Sequence, residues 1–289
     1  MTDTSWLGPA IDVRPVLADQ QAAFVDLLRG LGPDDWSRPT VCPGWSVKDV
    51  AAHVLGDHIG RLSIHRDGHH VLHPRDGEAF PRFLDRINDE WVIAVSRVSP
   101  LMLVELMAAF GTQIVEFWQT VDLDALGRPV SWAGPEPHSQ WLDVARDYTE
   151  YWTHHQQICD ATGRPGLTDP YYIGPVLDTF LRALPHTLRD VTAPPGTVLQ
   201  VSVTTPGAGD WTCTRGPDRW RLDRRPHPRP TARLELDADT AWRLCTRGIT
   251  PEQAGEHARI DGDRHLATAA LQIVSIIWSP PGHEASGEL

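Results

Sequence analysis

Between Val13 and Ala161 the chain repeats one pattern: apolar residues at helical spacing, closed by a cap, a proline or a glycine. That pattern commits the region to packed helices. "VRPVLADQQAAFVDLLRGL" carries Val16, Leu17, Phe24, Leu27 and Leu28 on one face, and Gly32 with Pro33 can end it. A proline-punctuated turn leads to a second helix after Trp45. There Ser46 can cap, Asp49 supplies an imperfect capping box, and Val47, Val50, Ala51, Val54 and Leu55 form the apolar face. A third helix is expected over roughly Phe80 to Val98 and a fourth over Pro100 to Thr120, joined by the start signal Ser99-Pro100. After a Gly/Pro-rich loop that includes "GRPVSWAGPEPHS", a last helix runs from near Trp141 to Ala161 and stops at "TGRPG". Residues 10–165 therefore read as a helical bundle whose long connection sets its last helix apart.

Tyr171 to Arg189 has the pattern of one more helix, a connector over 166–190. Beyond it the periodicity changes. "TVLQVSVTT", "RWRLDR" and "HARIDGD" read as strands, "TARLELDA" as a strand entering a helix, and "RHLATAALQIVSIIW" as a final apolar helix. Mixed elements over 191–279 predict a smaller α+β domain, and 280–289 reads as a disordered tail. A chain of 289 residues is long enough for two cores, so the expected class is α+β with two domains.

The formal charge is −12 and the basic residues form no stripe, which argues against nucleic acid and anionic membrane as partners. Lys48 is the only lysine, leaving many guanidinium groups for carboxylate or phosphate recognition. The N-terminus lacks the basic start and apolar run of a signal peptide, and no stretch reaches about 18 apolar residues. A cytoplasmic protein is expected. Cys42, Cys159, Cys213 and Cys245 are far apart, with no C-x-x-C pair, and read as reduced structural thiols. Cys42 precedes a helix N-terminus, where a thiolate is favoured, but its "CPGW" turn also gives it a structural reason to exist.

Chemistry concentrates in "EYWTHHQQI", residues 150–158. Residues four apart on a helix lie about 40° from each other around the axis, so Glu150 and His154 project together and could hold a divalent ion. His155 lies about 100° further round. It falls near the middle of the apolar face defined by Trp141, Val144, Tyr148, Trp152 and Cys159, so periodicity makes it the buried histidine. A lone E-x-x-x-H is weakly specific. A further ligand must come from another helix, and "DVAAHVLGDH" offers His53 beside Val50 and Val54, with Asp57 and His58 expected on a solvated flank.

Two stretches carry a resemblance. "DDWSRPTVCPGWSVKDVAAHVLGDH" resembles the opening signature of the mycothiol-dependent maleylpyruvate isomerase family, one of the DinB-like metal-binding four-helix bundles. "EYWTHHQQICDATGRPG" resembles the later signature of the same family, in the expected order and about a hundred residues on. The C-terminal half is similar in outline to the sterol-carrier-like α+β domain that many members carry. The resemblance implies a metal held by His53, Glu150 and His154, with His155 packing or supporting. Two histidines and a carboxylate leave open positions, as in catalytic zinc sites. Zinc suits these ligands first, with nickel, iron and manganese open.

It further implies a small-molecule thiol, mycothiol, as cosubstrate and an electrophilic substrate, with cis-trans isomerisation through thiolate addition. Cationic groups would hold carboxylates and the developing enolate. Candidates are Arg82 and Arg86 on the third helix and Arg221, Arg224 and Arg225 from the second domain, with Asn88 as a hydrogen-bonding group. Because the family brings its own thiol, Cys42 is not needed as a nucleophile. The alternatives are a mycothiol S-transferase, a non-catalytic protein binding metal and an apolar ligand, and a stress-associated bundle with an inactive site. The chain is expected as a monomer or homodimer.

Overall fold

The computed structural model describes residues 4–205 and 209–277. The expected tail at 280–289 lies outside the described residues. Helix α1 (Arg14–Arg29) starts with Pro15 in its first turn and buries Val16, Leu17, Phe24 and Leu28. Helix α2 (Val47–Arg61) opens on a complete capping box: Ser46 N–H donates to Asp49 Oδ2 at 2.9 Å, and the Asp49 N–H donates back to Ser46 Oγ at 3.4 Å. Aspartate thus does the work of the usual glutamate. A short π-type turn, Leu62–Arg66, follows.

Helix α3 (Phe80–Val95) ends three residues before the expected Val98. It docks on α2 because position 56 is glycine: a Cβ there would collide with the Trp91 indole, whose Nε1–H donates to Ala52 O at 2.7 Å. Helix α4 (Pro100–Gln119) is capped by Ser99, whose Oγ accepts from Met102 N–H at 3.3 Å. Its best 18-residue window has a mean hydropathy of 1.4, enough by length and composition alone to cross a membrane, although Glu105, Gln113 and Glu116 interrupt its apolar run. It lies against α1 and α2, burying Leu103, Met107, Ile114 and Trp118.

The expected Gly/Pro loop is instead a hairpin, β1 (Leu126–Val130) and β2 (Gly134–Ser139), with irregular register. Pro129 and Pro137 face each other across it. Prolines argue against strands in general, but a two-stranded ribbon consists of edges, where the missing N–H is tolerated. Helix α5 (Gln140–Thr162) then runs back through the bundle and ends at Gly163, at φ 68°, the left-handed conformation glycine adopts freely. Helices α1, α2, α4 and α5 make the four-helix core, with α3 outside it on α2.

The connector is broken. Helix α6 (Pro170–Phe180) passes through a 3₁₀ turn into α7 (Leu184–Thr187), where Pro185 cannot continue the hydrogen-bond ladder. The C-terminal sheet has the order β5-β4-β3-β6-β7. Its strands are β3 (Val198–Val203), β4 (Gly209–Arg215), β5 (Trp220–Asp223), β6 (Ala232–Leu236) and β7 (Arg259–Gly262). Only β3 and β6 run parallel.

Leu199, Val201, Trp211, Cys213, Leu222 and Leu234 are buried in this sheet. It is accompanied by α8 (Ala238–Cys245), α9 (Pro251–His257) and α10 (Arg264–Ala270). The final helix expected over "RHLATAALQIVSIIW" stops at Ala270. Arg182, fully buried, ties connector to N-terminus: its Nη1 donates to Leu7 O at 2.6 Å and Pro9 O at 2.8 Å. Its partner Asp178 also accepts from Trp211 Nε1 on β4 at 2.8 Å.

Candidate metal centre

His53 sits midway along α2, and Glu150 and His154 lie one turn apart on α5. The α2/α5 contact brings them together. Glu150 Oε1 lies 3.0 Å from His53 Nε2 and 3.0 Å from His154 Nε2. One ligand atom from each residue falls within 4.8 Å of the others, and the cluster is the only such group of three among the described residues. Both histidines are only 8% exposed, while the Glu150 side chain retains 39% and opens the cluster to solvent. The two imidazoles meet edge to face at 4.8 Å, and Trp45 covers His53 at 5.0 Å between ring centroids.

Electrostatics binds the three into a unit. Burial opposes the charge of Glu150, yet the imidazoles of His154 and His53 hold its carboxyl well below the usual carboxylate range. Burial likewise works against charge on His154, but the Glu150 carboxylate outweighs it and pushes His154 up to about 10. Two imidazole nitrogens aimed at one carboxylate oxygen are the donor set of a first-row divalent ion with open positions. The residues fit such an ion. On the far side of His154, Nδ1 lies 2.7 Å from Gln157 Oε1, which also accepts from Cys42 Sγ at 3.2 Å.

His155 points elsewhere. It is 3% exposed, packs on Phe24 of α1 at 5.8 Å, and burial pushes its pKa down to about 4. His58, expected on a solvated flank, is instead fully buried against the Tyr151 ring at 4.6 Å. The flank is occupied because α2 continues the stripe of His53 and Asp57 to Arg61, whose Nη2 pairs with Asp147 Oδ1 at 2.7 Å. Asp147 also accepts from Trp118 Nε1 at 3.1 Å. The i, i+4 ladder His53, Asp57, Arg61 and the i, i+4, i+7 set Asp143, Asp147 and Glu150 on α5 were the available signal for this polar seam.

Among the described residues no hydrogen bond or ion pair joins the other expected groups to the cluster. Arg82 is exposed and Asn88 half-buried, both on α3. Arg86 donates to Glu78 from Nε at 2.7 Å and from Nη2 at 2.8 Å, and pairs with Glu90 at 3.3 Å. In the sheet domain Arg221 lies 3.6 Å from Asp218 and Arg225 lies 2.6 Å from Asp223. Arg224 pairs with Asp178 at 2.8 Å and covers the Trp211 ring.

Residues 17–159 match the family model described as the mycothiol maleylpyruvate isomerase N-terminal domain. A crystal structure of a mycothiol-dependent maleylpyruvate isomerase with a histidine-to-alanine substitution is similar at 14% identity and a TM-score of 0.51. That match covers 86% of this chain and 91% of the other. A second structure of a mycothiol-dependent maleylpyruvate isomerase is 14% identical, with a TM-score of 0.47 over 80% of this chain and 86% of its own. At such identity the first likeness speaks for the fold: helices followed by a sheet domain. No curated protein matches the sequence.

Proposed function

The chain belongs, through its N-terminal helical domain, to the mycothiol maleylpyruvate isomerase family, and from that premise we propose a divalent-metal-dependent enzyme that uses mycothiol as cosubstrate. The observation that carries this is the convergence of His53 Nε2 and His154 Nε2 on Glu150 Oε1, each at 3.0 Å. His53, Glu150 and His154 would hold the ion. A bound divalent ion would supply the positive charge that makes a thiol a thiolate at neutral pH.

The chain's own residues set the conditions for that chemistry. His53 and His154 are shielded from water, while Glu150 keeps one side of the cluster open, so a cosubstrate can approach without unfolding the bundle. Trp45 closes the His53 side. In isomerisation, the thiolate lone pair forms a C–S bond at the conjugated double bond of a cis-enone acid. The displaced π pair moves onto the carbonyl oxygen as an enolate, and the remaining single bond rotates. The enolate then returns its pair, the C–S bond breaks, and the trans product and thiolate are released.

A cation must meet the substrate carboxylates. Arg82 is exposed, whereas Arg86, Arg221, Arg224 and Arg225 each face a carboxylate that a substrate anion would have to displace. Turnover of maleylpyruvate by the zinc-loaded protein, with and without mycothiol, is the test. Thiol-dependent loss of the cis substrate supports the proposal; a chain with one bound metal and no thiol-dependent turnover overturns it.

A further inference from the structure

Gln157 stands almost one turn beyond His154 on α5, and its Oε1 is placed against the nitrogen that the proposed metal would not use. Resting on the metal-site reading above, we propose that Gln157 is a positioning residue that fixes which nitrogen of His154 is presented to the ion. A neutral imidazole has one N–H and one lone pair, and a metal takes the lone pair. With Gln157 Oε1 accepting from Nδ1–H at 2.7 Å, the lone pair falls on Nε2, the atom that faces Glu150 and His53. Were the amide turned over, its NH₂ would donate to Nδ1 and leave the hydrogen on Nε2, where the ion would sit.

The orientation of an amide follows from the partners around it. Here two donors converge on the same atom: the His154 ring nitrogen and, at 3.2 Å, the Cys42 thiol from the turn before α2. An oxygen satisfies both. An NH₂ at that place would face the Cys42 S–H donor to donor. This also gives the "CPGW" turn a part in the site without making its thiol a nucleophile. Outer partners of this kind orient a ligating ring and raise its basicity.

The test compares the full-length protein with Gln157→Leu, which removes the acceptor at similar size, and Gln157→Glu, which keeps it. Co²⁺ affinity is read by chelator competition, Co²⁺ geometry by its visible absorption, and the His154 nitrogen that binds diamagnetic Zn²⁺ by ¹⁵N chemical shifts. Gln157→Leu is expected to weaken Co²⁺ binding about 10–100-fold, alter the absorption and leave the Zn²⁺-bound nitrogen of His154 no longer uniquely Nε2. Gln157→Glu should bind at least as tightly as the unsubstituted chain.

If the unsubstituted chain binds one Co²⁺ and Gln157→Leu binds it within about twofold with the same spectrum, the positioning role is overturned while the metal site stands. If Gln157→Leu does not fold, Gln157→Glu decides: a tenfold weaker site overturns the role. An unsubstituted chain that takes up no Co²⁺ overturns the metal reading, and this inference with it.

Discussion

His154 and His155 are adjacent in the chain and serve different surfaces of α5: His154 turns Nε2 to Glu150 Oε1 at 3.0 Å, while His155 lays its ring on Phe24 of α1. The 100° step of a helix separates them. His154→Ala is therefore expected to abolish stoichiometric Zn²⁺ binding. His155→Ala should leave Zn²⁺ bound and instead lower stability by a few kcal/mol through the cavity beside Phe24. Metal content of the purified variants and their urea midpoints check both. Equal metal loss from the two would refute the division of labour.

The raised pKa of His154 predicts a pH-dependent metal affinity. Without metal, Glu150 keeps the ring protonated up to about 10, so at neutral pH an incoming ion must displace that proton. Below the folded pKa each bound ion should release about one proton from His154, and apparent affinity should rise about tenfold per pH unit. Chelator competition between about pH 6 and 8 measures the slope. A flat profile would mean that Glu150 does not hold His154 charged.

How far this centre was legible from sequence depends on the range of each signal. The Glu150/His154 spacing is local, and helical geometry alone places the two together. That His53 joins them depends on which face of α2 meets α5, which periodicity leaves open and family resemblance suggested. Hydrophobic periodicity correctly buried His155, but it missed that His154 is nearly as buried, because a polar seam through a bundle core looks like a solvated flank. His58 was misread for the same reason. The hairpin before α5 was hidden by its prolines, and β4 by the lack of any expected strand between Thr205 and Trp220. Helix α9 had a visible signal, the Thr250/Gln253 capping box with Pro251, inside a stretch for which no element was expected.

Acid should destabilise the fold through its buried histidines, His58 and His155 among them. Burial pushes His58 and His155 each down to about 4 from the ordinary 6.5, so the folded chain refuses protons that the unfolded chain accepts. Their contribution is intact above pH 6.5, falls as pH drops from there, and is exhausted by about pH 4. Within that window each adds a slope of up to about 1.4 kcal/mol per pH unit, about 2.7 for both. Urea titrations from pH 7.5 to 4.5 should show it, with His65 adding to the slope because burial pushes it down to about 4 as well, and His155→Phe should remove up to about 1.4 kcal/mol per pH unit. An unchanged slope in that variant would assign the acid sensitivity elsewhere.

The pair Arg61 and Asp147 fastens α2 to α5 below the cluster, and its removal should be costly in a particular way. Asp147 is 1% exposed and Arg61 19%, and the carboxylate also accepts from Trp118 Nε1 at 3.1 Å and Tyr151 OH at 3.4 Å. Asp147→Ala leaves a buried guanidinium and an indole N–H without their acceptor, so a loss of about 3–5 kcal/mol is expected. The double variant Arg61→Met with Asp147→Leu removes both charges and should recover most of it, because apolar replacement of a buried pair is often neutral. A double-mutant cycle in urea isolates the coupling. If the single variant costs under about 1 kcal/mol, water must reach Arg61 and the seam is open. If the double variant is stable and loses Zn²⁺, the pair is needed to hold His53 in register with Glu150 rather than to hold the bundle together.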